Sequence, residues 1–295
     1  MQEIRIGSRD SLLAVIQSET VIASIRRTDP ETDVRLITMK TTGDKILDRT
    51  LDKVGGKGLF VKELDRALAN HEVDFTVHSL KDMPMELADG LPIVAVSPRA
   101  DVRDVLVLPE GVDTLSPELP IGCSSARRRI QLQRLFPGYR IESVRGNVQT
   151  RLRKLDGGQY GALVLAAAGL HRLGLEHRIS RYFSVDEILP AAGQAIIAVQ
   201  GRAGEDTGCL RGYHDPDAMA CMLAERAFVR KLDGGCSSPV AAYAHLENGR
   251  LHVRGMYVSE DEKNVCFGER TGLPGQAVQL GTLLAEQLMA EGGKA

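Results

Sequence analysis

Arginine dominates one stretch of this chain. Between Arg127 and Arg172 stand nine Arg and one Lys against only Glu142 and Asp156, a surplus of eight positive charges in a 295-residue chain of net charge −2. The remainder therefore carries ten net negative charges. A solvated surface mixes its signs, so a segment this lopsided reads as an anion site. Arg127, Arg128 and Arg129 open a helix, where cations oppose the macrodipole and an anionic ligand relieves the clash. Guanidinium groups grip planar carboxylates in pairs, which ammonium groups cannot do. The chemistry indicated is the holding of a polyanion by Arg127, Arg128, Arg145, Arg151 and Arg172. Asp82, in the run His78-Ser79-Leu80-Lys81-Asp82, is the contrasting group. A lone carboxylate among cations can stabilise a cationic intermediate or move a proton. His78 beside it reads as a packed or turn-stabilising side chain.

Other chemistries are poorly served. The loop Val54-Gly55-Gly56-Lys57-Gly58 is Gly-rich but lacks the spacing of a nucleotide phosphate cradle. Cys123, Cys209, Cys221, Cys236 and Cys266 are widely spaced and form no CxxC pair, so neither a disulfide framework nor a zinc site is indicated, and free thiols in a reducing compartment are expected. Cys236 stands out, because Gly234-Gly235 before it and Ser237-Ser238-Pro239 after it place it in an accessible turn with room for something bulky. Aromatic residues are only 4% and Trp is absent, so base stacking is not a main activity, and no nucleic-acid partner is expected. The longest apolar run, Ala162 to Leu170, is too short to span a bilayer, and no signal peptide precedes Ile4. A cytoplasmic protein without a membrane partner is expected. No oligomerisation signal stands out, so a monomer is expected.

The elements that must position these groups alternate. Ile4–Gly7, Val34–Met39, Asp74–His78 and Leu91–Val96 read as strands, with an amphipathic helix after the first and a helix over 59–69. A second half repeats the scheme: strands at Leu119–Gly122, Ile141–Val144 and Ala162–Ala167, with helices over 126–135 and 148–155. Such alternation predicts parallel, doubly wound sheets. Ligands bind beyond the carboxyl ends of such strands. Arg9, Lys53, Lys57, Ser79, Lys81 and Asp82 in the first half, and Ser125, Arg127, Arg145, Gly146 and Arg172 in the second, fall at those ends. Two facing sheets would turn them toward one cleft. From about Asp215 the style changes to a helix (217–232), then strands over 240–246 and 251–258 joined by Glu247-Asn248-Gly249-Arg250, a third strand near 264–270 and a helix over 276–289. The fold class expected is α/β: two doubly wound, periplasmic-binding-protein-like domains flanking a cleft, plus a small C-terminal α+β domain with a three-stranded antiparallel sheet. The boundaries drawn are 1–98 with a return segment 194–212, then 102–190, then 215–295.

Taken together, GSRDSLLAVIQ from Gly7, VGGKGLFVKELDRAL from Val54, VHSLKDMP from Val77, GCSSARRR from Gly122, SVRGNVQTRL from Ser143, LAAAGLHRLGL from Leu165 and LDGGCSSP from Leu232 resemble the hydroxymethylbilane synthase, or porphobilinogen deaminase, family. The resemblance runs in order over nearly the whole chain. It implies a transferase that adds four porphobilinogen molecules stepwise, each losing ammonia, and frees 1-hydroxymethylbilane by hydrolysis in tetrapyrrole biosynthesis. It implies a covalent dipyrromethane cofactor joined by a thioether to Cys236 in the third domain. Each pyrrole brings an acetate and a propionate, which would account for the arginine surplus.

By the same resemblance Asp82 is the catalytic carboxylate. Lys81, Ser125, Arg127, Arg128, Arg145, Gly146 and Asp44 bind the cofactor; Arg9, Gln17, Ser79, Arg151 and Arg172 bind substrate; Lys53 and Lys57 belong to a loop near the cleft. The chain departs from the family pattern at Ala195 and Gln200, where Gly and Glu are usual, and at Cys123, Thr42 and His171, where Thr, Arg and Lys are frequent. A two-lobed anion-binding protein without catalysis is the alternative reading. The third domain and the Gly-Gly-Cys turn distinguish the two, since a simple receptor needs no bulky covalent group.

Overall fold

Two five-stranded sheets of similar layout, each with its antiparallel strand in the fourth place, organise this chain. The structure, a computed structural model, describes residues 3–45, 58, 61–233 and 239–292. In chain order the elements are β1 (Glu3–Arg9), α1 (Leu12–Thr28), β2 (Asp33–Met39), α2 (Thr42–Lys45), α3 (Lys62–Ala69), β3 (Phe75–Ser79), β4 (Ile93–Val96), β5 (Asp104–Val107) and β6 (Ile121–Cys123). Then come α4 (Ala126–Leu135), β7 (Ile141–Ser143), α5 (Val148–Asp156), β8 (Ala162–Ala166), α6 (Ala167–Arg172), β9 (Arg181–Tyr182), β10 (Ile197–Gln200) and α7 (Pro216–Lys231). The chain closes with β11 (Ala241–Glu247), β12 (Arg250–Val258), β13 (Val265–Gly272) and α8 (Ala277–Gly292). Two compact units divide it: Met1–Arg99 with Ile196–Met219, and Ala100–Ala195 with Ala220–Ala295.

In the first unit the strand order is β2-β1-β3-β10-β4. β1 runs parallel to β2 and β3, whereas β10 is antiparallel to both β3 and β4, with Val199 opposite Val77. Ser11 caps α1 by accepting from the Ala14 N–H (3.4 Å), and Arg26 and Arg27 in the last turn complement its dipole. The buried face of α1 (Val21, Ile25) meets Ile6, Val34, Phe75 and Val199 in one apolar core.

In the second unit the order is β7-β6-β8-β5-β9, with β6 parallel to β7 and β8 and β5 antiparallel to β8 and β9. Both sheets are therefore mixed, where parallel sheets were expected. The reason is connectivity: β5 and β10 enter each sheet directly, without the crossover helix that enforces parallel pairing. β5 itself was not foreseen, because its short apolar run Val105-Leu106-Val107 begins at a charged residue, Asp104.

The C-terminal sheet, β11-β12-β13, is antiparallel throughout. Its first hairpin turns at Asn248 (φ 50°) and Gly249 (φ 73°), the pair of positive φ values that a two-residue turn of matching twist requires. Ala241, Met256 and Val258 of this sheet pack on Ile130 and Leu189. On its other side α7 and α8 meet closely, since a Cβ built on Gly281 would lie 2.1 Å from the Ala224 carbonyl oxygen. Among the described residues no helix is long and apolar enough to cross a membrane.

Candidate active site

In the first unit the strand ends converge as the alternation requires. Arg9 closes β1, Ser79 closes β3, and the chain then makes a single tight turn through Leu80, Lys81 and Asp82. That turn is anchored from beneath. Leu80 and Met83 are fully buried, and the Leu80 N–H donates to the Ile196 carbonyl at 3.0 Å. Asp82, between them, is left exposed. It lines one pocket with Arg9, Ser11, Gln17, His78 and Ser79. Gln17, buried on α1, donates from Nε2 to the Ser79 hydroxyl (2.9 Å), and that hydroxyl donates back to Gln17 Oε1 (3.1 Å). The reciprocal pair joins helix to strand at the pocket wall. His78 is buried with its ring 2.9 Å from Thr76 Oγ1. Burial, then the positive charge of Arg9, pulls its imidazole down to about 4, so it is neutral at physiological pH. The packed role read from sequence agrees with this.

In the second unit the arginines divide into two kinds. Arg127 and Arg128 are buried, on the first turn of α4. Arg127 Nη2 donates to Asp104 Oδ2 (2.8 Å) and Nη1 to the Leu189 carbonyl (2.6 Å); Arg128 Nη2 donates to Asp104 Oδ1 (2.7 Å) and Nη1 to the Val164 carbonyl (3.2 Å). Burial by itself would push the Asp104 carboxyl up. The charges of both guanidiniums, and their hydrogen bonds, more than offset this and hold it well below the ordinary carboxylate range. The clash of cations with the helix dipole, read from sequence as a demand for ligand alone, is thus met in part by an internal carboxylate. Ser125 is the N-cap residue of α4 and makes no side-chain capping bond.

Arg145, Arg151 and Arg172 are half-buried. Gly146 adopts φ 109°, and a Cβ there would lie 2.6 Å from Thr150, so only glycine fits the turn into α5. Arg151 braces this turn from Nε to the Gly146 carbonyl (2.7 Å) and reaches the Ser124 hydroxyl through Nη1 (2.9 Å). Asn147 caps α5 through the Thr150 N–H (2.9 Å). Arg172, ending α6, donates from Nη2 to the Ala195 carbonyl (3.0 Å).

The first unit thus brings together Arg9, Gln17, Ser79 and Asp82, with Lys81 in the same turn. The second carries Ser125, Arg127, Arg128, Arg145, Gly146, Arg151 and Arg172 on the loops and helices that directly follow β6, β7 and β8. Lys53, Lys57 and Cys236 lie outside the described residues, and Asp44 is described only as part of α2. Four cysteines, Cys123, Cys209, Cys221 and Cys266, are free thiols. Burial pushes Cys123 and Cys209 up, which makes them poor nucleophiles. Sequence reasoning missed Asp104, although a charged residue heading an apolar run is a signal of a buried, paired carboxylate.

These features define an α/β protein of two similar sheets, with one exposed carboxylate beside a pocket in the first unit and a row of arginines beyond the strand ends of the second. Residues 4–209 match the family model for the porphobilinogen deaminase dipyrromethane cofactor binding domain, and residues 219–290 match that for the porphobilinogen deaminase C-terminal domain. The porphobilinogen deaminase of Ruminiclostridium cellulolyticum is 57% identical over 291 residues, 98% of each chain. That of Acetivibrio thermocellus is 55% identical over 287 residues, 97% of this chain and 98% of the relative. The chain belongs to the porphobilinogen deaminase family, and its activity is that of this transferase in tetrapyrrole biosynthesis. The purely receptor-like alternative does not account for this full-length relationship.

The donor set fits a dipyrromethane bearing acetate and propionate groups. Arg127 Nε and Arg145 Nε are buried N–H donors without a protein acceptor. Such orphans are costly unless an acceptor supplies the missing bond. Among the described residues no cluster suited to a metal ion occurs.

Proposed function

We propose that this chain condenses four porphobilinogen molecules head to tail on a dipyrromethane primer, held as a thioether by Cys236, and then releases 1-hydroxymethylbilane by hydrolysis. The observation that carries this reading is the pair of buried, unpartnered arginine donors, Arg127 Nε and Arg145 Nε, in the matched cofactor-binding region. The bound dipyrromethane supplies the pyrrole carbon to which the first substrate is joined. Arg127, Arg128 and Arg145, with Ser125, Lys81, Gly146 and Asp44, hold its side chains. Arg9, Gln17, Ser79, Arg151 and Arg172 receive the carboxylates of incoming substrate, and Lys53 and Lys57 are assigned by resemblance to a loop beside them.

Asp82 acts where charge changes. Loss of ammonia leaves positive charge on the pyrrole, and a carboxylate aimed at the ring N–H stabilises that charge. Gln17 and Ser79 fix the wall against which the ring lies. His78, uncharged, adds no competing cation. The reading also carries a three-domain division (1–98 with 194–212, 102–190 and 215–295), a cytoplasmic location and a monomer.

Intact mass of the purified protein, made in a host that synthesises porphobilinogen, tests this directly. The parent chain should exceed its sequence mass by a two-pyrrole adduct, and Cys236→Ala should not. An unmodified parent would sink the reading. Asp82→Asn should keep the adduct while turnover falls about a hundredfold or more; near-normal turnover removes Asp82 from the chemistry.

A further inference from the structure

Three of the ligand arginines lead back to one three-residue stretch, Gly193-Gln194-Ala195. Gln194 is fully buried, and its Nε2 donates both to the Val102 carbonyl (2.7 Å) and to Asp104 Oδ1 (2.8 Å). Asp104 in turn receives Arg128 on that same oxygen and Arg127 on the other. The next residue, Ala195, offers its carbonyl to Arg172 (3.0 Å) and to the Ala100 N–H (3.2 Å). On the other side, the Gly193 N–H donates to Glu225 Oε2 (2.7 Å), while Glu225 Oε1 accepts from the Ala244 N–H (2.7 Å) on β11. The stretch is therefore tied to β5, α4, α6, α7 and the C-terminal sheet at once.

A guanidinium is planar and rigid, so fixing two of its nitrogens fixes where its remaining N–H bonds point. Arg127 and Arg128 are each fixed in this way, by Asp104 on one nitrogen and a main-chain carbonyl on the other. Asp104, Arg127, Arg128 and Gln194 are all at most 4% exposed, so water cannot substitute readily for a lost bond. One carboxylate between two guanidiniums also leaves a net positive charge for an incoming anion.

We propose that Asp104 is a positioning residue for the deaminase reaction, with Gln194 as its anchor: together they set the guanidinium planes of Arg127 and Arg128 and tie them to the backbone stretch that holds Arg172. This rests on the assignment of those arginines to pyrrole carboxylates. Its consequence is preorganisation, because a carboxylate entering the site meets donors already aimed. Asp104 and Gln194 touch no ligand in this arrangement, so their effect passes through the arginines.

The test uses Gln194→Met, which keeps the volume and removes both side-chain donors, alongside Asp104→Asn and Arg127→Gln. Three readouts are taken: the fraction of protein carrying the two-pyrrole adduct by intact mass, the separate kcat and KM for porphobilinogen, and the melting temperature. Gln194→Met should lower the adduct fraction and raise KM about tenfold, the scale of a disturbed charge-assisted hydrogen bond, with a smaller change in kcat. Combined with Arg127→Gln, its effect on KM should be less than additive, since both act on one guanidinium. A fall in melting temperature with parental KM and adduct fraction, or full additivity, overturns the proposal. Should Asp104→Asn fail to fold, the Gln194→Met and Arg127→Gln cycle carries the test alone. If Arg127→Gln itself leaves KM and adduct unchanged, the assignment of the arginines fails. If Arg127→Gln is impaired and Gln194→Met is not, only the positioning role fails.

Discussion

Arg172 donates from Nη2 to the carbonyl of Ala195 at 3.0 Å, and Ala195 presents that carbonyl from a left-handed backbone with φ of 70°. The conformation suits glycine and costs an alanine about 1 kcal/mol. Against that, the Ala195 methyl is buried beside Val102 and Ala168. The two effects nearly cancel.

Ala195→Gly should therefore stay within about 1 kcal/mol of the parent in urea unfolding. Ala195→Val should lose more than about 2 kcal/mol, because a β-branched side chain is far less tolerant of this φ. Adjusting the carbonyl direction should also raise KM in the valine variant through Arg172. Equal stability of the valine and glycine variants would show that the backbone relaxes out of the left-handed region.

Much of this arrangement was legible in the residues alone. Strand and helix periods placed β1, β2, β3, β6, β7 and β8 within a few residues, and the Asn248-Gly249 pair marked its hairpin. The arginines were visible as a surplus of charge just beyond the strand ends, where α/β folds bind ligands. The internal counterion was not visible. Asp104 pairs with Arg127 and Arg128 across 23 and 24 residues of chain, a contact that only strand β5 lying beside β8 creates. Nor does periodicity reveal direction: β5 and β10 have the composition of ordinary buried strands, and their antiparallel sense comes from where the chain enters each sheet. The backbone of Ala195 was equally hidden, since an alanine advertises no left-handed conformation.

Acid should weaken the first unit through His78. Its folded value of about 4 lies below the ordinary 6.5, so the unfolded chain takes up a proton first as pH falls. Stability is thus undiminished above about 6.5, declines between there and about 4, and levels off below, with about 2 kcal/mol lost between roughly pH 7 and pH 5. His78→Gln should flatten that part of the urea-midpoint profile relative to the parent. Gln200→Glu should raise the His78 value by placing a carboxylate in the same buried group as Thr76. An imidazole titration unchanged by Gln200→Glu, followed by NMR, would separate the two side chains electrostatically.

The tightest helix contact in the second unit offers a sharper test, because two effects there have opposite signs. Gly281 lies within α8, where alanine normally stabilises a helix by about 1 kcal/mol over glycine. Yet a methyl on Gly281 would sit 2.1 Å from the Ala224 carbonyl oxygen and 3.0 Å from the Phe228 nitrogen, both backbone atoms of α7 that no rotamer change can move. The helices must separate, opening the packing of Leu280, Leu284 and Ala285 beside them. We expect Gly281→Ala to lose about 3 kcal/mol despite the gain in propensity. Gly275→Ala serves as the control, since a methyl there would meet nothing within 4 Å and should be nearly neutral. Should Gly281→Ala match or exceed the parent in urea midpoint, α7 and α8 do not approach as closely as their backbones indicate. Should both variants fall equally, the loss reflects glycine's own conformational role rather than the helix contact.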